Sequence, residues 1–212
     1  MNNAMNAPIS APSPPQPVDT MSHVGAWLFR HRTVTALPIS VALLTIPAPP
    51  TAVGTWLTIA GIATAAAGEL VRLWAVRHIG AISRTRSDRL GPLVQSGPFA
   101  YVRNPLYLGN LALWTGFALT ARLVWLAPLV LACLGAAYHA IVRWEESLLE
   151  SRLSEAYRVY ARHVPRWIPA VPARRTPLPV RPFTWGETLF SERGTLMAIG
   201  AGYLLLWLKL RA

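Results

Sequence analysis

The sequence is short of acid, of lysine and of cysteine. Asp and Glu number 9 in 212 residues, against 20 Lys and Arg, and charged residues make up only 14%. A soluble domain with so little charge is normally less apolar than a mean hydropathy of +0.35. Lysine occurs once, at Lys209. The single cysteine, Cys133, lies in an apolar run and reads as a small buried hydrophobe. One thiol closes no internal disulfide, and no CxxC or Cys/His cluster offers metal ligands. No GxGxxG follows a strand pattern, so no soluble dinucleotide fold is indicated. Residues 1–22 lack Lys and Arg and have no apolar core, which excludes a signal peptide. Their Pro, Ala, Ser and Asn content predicts a disordered tail. Residues 23–212 then form one domain.

What is present is a set of apolar runs separated by arginine-rich stretches. The net charge of +11 raises the question of nucleic acid. The arginines lie between the apolar runs, and the positive-inside rule accounts for them without a nucleic-acid partner. About 20 apolar residues cross a bilayer core. Candidate spans are Val34 to Pro49, Val53 to Val76, Pro105 to Ala121, Leu123 to Trp144 and Gly194 to Leu210. The expected fold is all-α: a polytopic membrane bundle of about five transmembrane helices with a cytoplasmic interfacial helix. Arg30 and Arg32 precede the first span. Arg77, Arg84, Arg86, Arg89 and Arg103 separate the second and third. Arg152, Arg158, Arg162, Arg166, Arg174, Arg175 and Arg181 separate the fourth and fifth. These loops are expected to face the cytoplasm, and any chemistry with them.

Glu69 and Arg72 share one face of the second span. A structural ion pair near the membrane surface is the simpler reading, since charge is costly deeper in; an Arg72 that lines an anionic site is the functional one. His139 and Arg143 share a face of the fourth span in the same way.

Two inner stretches carry more information. In Leu93-Val94-Gln95-Ser96-Gly97-Pro98-Phe99-Ala100-Tyr101-Val102-Arg103-Asn104-Pro105-Leu106-Tyr107-Leu108-Gly109-Asn110, Gly97-Pro98 signals a turn. Asn104-Pro105 signals a helix start, with Asn as N-cap and Pro at the first helical position. Such a start directs a positive dipole end at an anion, and Arg103 adds charge beside it. Gly109 permits close approach of a ligand or a helix. In the second stretch, Glu145-Glu146 ends the fourth span, and Leu149, Leu153, Ala156, Tyr157, Tyr160 and Val164 follow at helical spacing. That stripe fits a helix lying on the inner leaflet.

Together these stretches resemble the isoprenylcysteine carboxyl methyltransferase and phospholipid methyltransferase family. The first is similar to its Arg-His-Pro-x-Tyr-x-Gly region, and Glu145-Glu146 through Val164-Pro165 to its second signature. The likeness covers about residues 68–169. It implies S-adenosylmethionine as cofactor, held by Leu93, Val94, Phe99, Asn104, Pro105, Leu106, Tyr107 and Glu145, with Arg84 a weaker candidate; Arg103 and Gly109 join them from the local physics. Asn104 replaces the family's His, and Asn cannot act as a base near neutral pH. Ser154 replaces a common Gly. The family's substrate-holding Arg lies slightly earlier than Arg143.

The expected acceptor is a lipid or isoprenoid-type molecule entering from the membrane. A carboxylate acceptor needs only a cation, such as Arg143 or Arg72. An amine must lose a proton, so Glu146 or His139 is the expected base. A nicotinamide-dependent membrane reductase and a non-catalytic membrane protein are the competing classes. The short chain speaks against the first, and the two signatures together against the second.

Overall fold

The structure is a computed structural model that describes residues 20–80, 93–171 and 182–211. Most of the expected tail, and Arg84, Arg86, Arg89, Arg174, Arg175 and Arg181, lie outside the described residues. Among the described residues every regular element is a helix: α1 (Thr20–Arg30), α2 (Arg32–Thr35), α3 (Leu37–Thr45), α4 (Gly54–Ile79), a 3-10 turn (Gly97–Ala100), α5 (Pro105–Thr120), α6 (Leu126–His163) and α7 (Trp185–Lys209). For orientation, the near end of the bundle is where α4 finishes and α5 and α7 begin; the far end is where α4 begins and α7 finishes.

Two helices, α4 and α6, are long and apolar enough to cross a bilayer. The first expected span is instead broken. Pro38 begins α3 after a break at Ala36, leaving a helix of 9 residues, or about 13 Å at 1.5 Å per residue. At the other end of the chain, α7 starts nine residues before Gly194. Thr184 and Glu187 form a capping box there, with the Glu187 N–H donating to Thr184 Oγ1 at 3.2 Å and the Thr184 N–H to Glu187 Oε2 at 2.7 Å. Exposed tryptophans gather at both ends, Trp56, Trp125 and Trp207 at the far end and Trp74 and Trp185 at the near end, as at the two surfaces of a membrane.

α4 and α5 run antiparallel in close contact because glycines face each other. A Cβ on Gly116 would stand 2.5 Å from the Gly61 oxygen, and one on Gly68 would stand 2.6 Å from the Gly109 oxygen. Without water to drive apolar surfaces together, such close backbone packing holds membrane helices. Gly109, expected near a ligand, belongs to this seam; a Cβ there would also meet Arg72 Cγ at 2.5 Å. The far half of the bundle closes on Leu43, Leu113, Phe117, Leu134 and Leu206. Cys133, expected to be buried, is exposed on α6.

The expected helix of the second stretch is present but begins inside the stripe from Leu149 to Val164: Ser154, at φ 44° and ψ −116°, is non-helical and joins two helices across a kink within α6, the second ending at His163. That conformation suits glycine. Past the kink, Tyr157, Tyr160 and Val164 are buried against Leu93 and the turn at Phe99, not laid on lipid.

Candidate functional site

The near end is built by two backbone segments laid side by side. The Arg103 N–H donates to the Pro165 oxygen at 2.9 Å, and the Ala170 N–H to the Tyr101 oxygen at 3.0 Å. Gly97 turns the first segment with φ +60°, its Cα against the His78 ring at the end of α4. Asn104 stands at the start of α5, but its side chain makes no cap hydrogen bond. Its Nδ2 donates instead to the Arg166 oxygen at 3.1 Å and ties the two segments together. Tyr160 does the same from α6, donating to the Phe99 oxygen at 2.8 Å.

Glu146 is held between two guanidinium groups. Arg166 donates to it at 2.6 and 3.0 Å, and Arg103 Nη1 lies 3.0 Å away. Arg103 also donates to Tyr157 at 3.3 Å. Burial, with Glu146 nearby, pushes the Tyr157 phenol up to about 12, so it stays protonated at neutral pH. Glu146 in turn holds the Arg166 guanidinium above its usual range through their hydrogen bonds. Glu146 is therefore an anchor for the loop. Both of its oxygens lie against guanidinium groups.

Glu145 differs. Tyr107 on α5 donates to its Oε1 at 3.0 Å, and the Tyr107 ring packs on Tyr138 with centroids 4.9 Å apart.

All of this surrounds one cavity of about 1100 Å³. The structure brings Leu93, Val94, Phe99, Arg103, Asn104, Pro105, Leu106, Tyr107, Glu145 and Glu146 together on its wall. His139, Arg143 and Gly109 are not on that wall. His139 accepts a hydrogen bond from Trp167 Nε1 at 3.3 Å, which pins the loop after α6. Arg143 is exposed. Lining residues not foreseen as site residues include Arg32, whose guanidinium lies 4.6 Å over the Phe29 ring, and Glu192 and Thr195 on α7. Glu192 carried the same signal as Glu69, a carboxylate beside an apolar run; Arg32 carried none.

Residues 56–156 match the model of the phospholipid methyltransferase family. This segment is a phospholipid methyltransferase family domain. The family is one of membrane methyltransferases, in keeping with the helical architecture and two bilayer-length helices. The chain is also 28% identical over 176 residues to the nickel-cobalt-cadmium resistance protein NccN of Alcaligenes xylosoxydans xylosoxydans, across 80% of this chain and 75% of that protein. It is 33% identical over 124 residues to the cobalt-zinc-cadmium resistance protein CzcN of Cupriavidus metallidurans, across 55% of this chain and 52% of that protein. The chain thus spans about half the length of CzcN. No solved structure matches. The methyltransferase domain contains Arg103, Asn104, Tyr107, Glu145 and Glu146; Arg32, Arg166, Glu192 and Thr195 lie outside it.

Proposed function

We propose that the chain is a membrane-embedded, S-adenosylmethionine-dependent methyltransferase acting on a lipid or isoprenoid-type amphiphile. The observation that carries this is a single cavity with a polar near end and an apolar far arm. Its volume of about 1100 Å³ exceeds the roughly 300–1,000 Å³ typical of a site for one small ligand. It has space for a cofactor and the head of an acceptor together.

The near end fits this cofactor's groups. Arg103 Nε is buried without a partner and can donate to the cofactor carboxylate. Glu145, bonded on one oxygen by Tyr107, can accept from the cofactor's ammonium or ribose hydroxyls. Phe99, Leu149 and Tyr160 offer apolar surface to the purine. When bound, the cofactor supplies an electrophilic methyl group. The chain's own part is alignment and exclusion of water, and alignment alone accelerates such displacements greatly. Tyr107 and Asn110 lie one turn apart on α5 and both line the cavity, which sets donor and acceptor ends side by side.

The same reading takes five apolar segments as spans, with the near end facing the cytoplasm. The tryptophans at both ends and the arginines of the near-end loops support it. Metal resistance is named for both relatives. Among the described residues no group of three or more His, Cys, Asp or Glu could hold a metal ion, so those names carry no argument about this site.

The test is transfer of label from methyl-labelled S-adenosylmethionine by the purified chain in lipid nanodiscs. Label in the organic extract is expected. A folded sample that binds no S-adenosylmethionine but does bind a nicotinamide dinucleotide would turn the reading to a reductase.

A further inference from the structure

The far end, away from the polar end of the cavity, carries cations without acids. Arg122, Lys209 and Arg211 lie there, and among the described residues no Asp or Glu does. With the near end facing the cytoplasm, positive charge on this face needs a reason of its own. Two of the three cations have one inside the chain. Lys209 Nζ donates to the Leu43 oxygen at 2.6 Å and closes the end of α3. The Arg211 guanidinium lies 4.3 Å over the Trp207 ring. Arg122 has no such partner.

Arg122 comes just after the C-cap of α5, with φ 60°. That position, in that left-handed conformation, ordinarily belongs to glycine, and an L side chain is strained there. The side chain runs across to the first residue of α4. A Cβ on Gly54 would stand 2.7 Å from Arg122 Cζ and 2.8 Å from its Nε, so the absent side chain of Gly54 is what makes room for the guanidinium. Nε is buried and has no hydrogen-bond partner. Among the described residues the guanidinium makes no hydrogen bond and no ion pair. Nor is its charge offset by its setting. The start of α4 has no side-chain cap, so a cation stands at the positive dipole end of a 26-residue helix. A buried donor without an acceptor is costly, and what this corner lacks is an anion.

We propose that Arg122 and the start of α4 bind the phosphate of an anionic phospholipid in the leaflet at the far end. A guanidinium holds a phosphate through parallel, charge-assisted hydrogen bonds, and an uncapped helix start favours the same charge. Free phosphate shares that chemistry. The lipid is the source because Trp56 and Trp125, two and three residues along the chain from Gly54 and Arg122, are both exposed, which puts the corner at headgroup depth. A phosphate there joins the hairpin between α5 and α6 to the start of α4. The site is separate from the cavity and does not rest on the methyltransferase reading.

The experiment titrates dioleoylphosphatidylglycerol into the purified full chain in lipid-free detergent, with and without millimolar inorganic phosphate. Bound lipid is counted by native mass spectrometry, and thermal unfolding is followed on the same samples. The variants are Arg122→Gly, which suits the left-handed backbone, Arg122→Gln, and Arg158→Gln as a control for the exposed near-end arginines. The wild type and Arg158→Gln are expected to bind the lipid and to unfold at higher temperature with it. Arg122→Gly and Arg122→Gln are expected to bind it about tenfold more weakly or less, as for a lost hydrogen bond to a charged group, with the lipid-free midpoint of Arg122→Gly no lower than that of the wild type. Unchanged affinity in Arg122→Gly or Arg122→Gln overturns the proposal, as does a wild type that binds no lipid. Full displacement of the lipid by inorganic phosphate overturns the lipid as the source. Failure of both Arg122 variants to fold without lipid would mean that the guanidinium holds the hairpin by itself, and overturns the proposal too.

Discussion

Two ionic triads of opposite sign reach the same cavity. At the near end Glu146 lies between Arg103 and Arg166, a carboxylate flanked by cations. On the helices Arg72 lies between Glu69 and Glu192, a cation flanked by carboxylates. The first joins two loop segments and is partly open, Arg166 being 29% exposed. The second joins α4 to α7 and is nearly closed. Glu146 and Arg103 are nonetheless only 13% and 14% exposed, so both triads are held by the penalty of breaking a buried pair. The loop triad mainly sets the shape of the near end, and the helix triad sets the field inside the cavity.

The largest expected effect sharpens this contrast. Glu146→Ala leaves Arg103 and Arg166 facing each other without their shared carboxylate. A loss of about 3 kcal/mol or more is expected, as for breaking a buried pair, read as a lower unfolding midpoint in detergent. If the loop triad were only a surface feature, the change would be under about 1 kcal/mol.

Gly116→Ala tests the frame that holds both triads. Its Cβ would press on the Gly61 oxygen and the Ala65 side chain, at a cost of about 1–3 kcal/mol from overpacking. Both cofactor affinity and thermal stability are expected to fall, because α4 carries Arg72 and α5 carries Tyr107. A smaller effect is expected from Tyr107→Phe, which removes the 3.0 Å hydrogen bond to Glu145. S-adenosylmethionine affinity should drop by about tenfold, in line with roughly 1.5 kcal/mol for a hydrogen bond to a charged group, with little change in stability. The smallest change is a gain. Ser154→Gly relieves a residue at φ 44° and should stabilise the chain by about 1 kcal/mol, measured by thermal unfolding. No gain there would mean that the kink is held by its packing and not resisted by its backbone.

These residues also mark what was legible in the sequence. Asn104-Pro105 announced the start of α5 because proline fixes its own φ and has no N–H to lose. Glu145 was legible because an acidic residue at a span's end is hard to explain by snorkelling. Glycine where the chain turns left-handed was legible at Gly97. Partners were not. His139 was a candidate base with a hydrogen-bonded structural histidine as the alternative, and its partner proves to be Trp167, 28 residues away. Asn104 looked like a cap until the Arg166 carbonyl took its amide. Gly109 was open to a ligand or to a helix, and it packs against Gly68 and Arg72 of α4. Each of these was decided by a contact far along the chain, which local spacing does not encode. Thr184 and Glu187 are the opposite case: their capping box lies within four residues, and it extends α7 well before the apolar run begins.

The most direct test of the account is equilibrium binding of labelled S-adenosylmethionine to the purified chain, beside Glu145→Ala and Glu192→Gln. The account expects wild-type binding that is lost in Glu145→Ala and retained in Glu192→Gln. Binding that is untouched by Glu145→Ala would contradict it, because the cofactor would then lie somewhere other than the cleft between the start of α5 and the near end of α6.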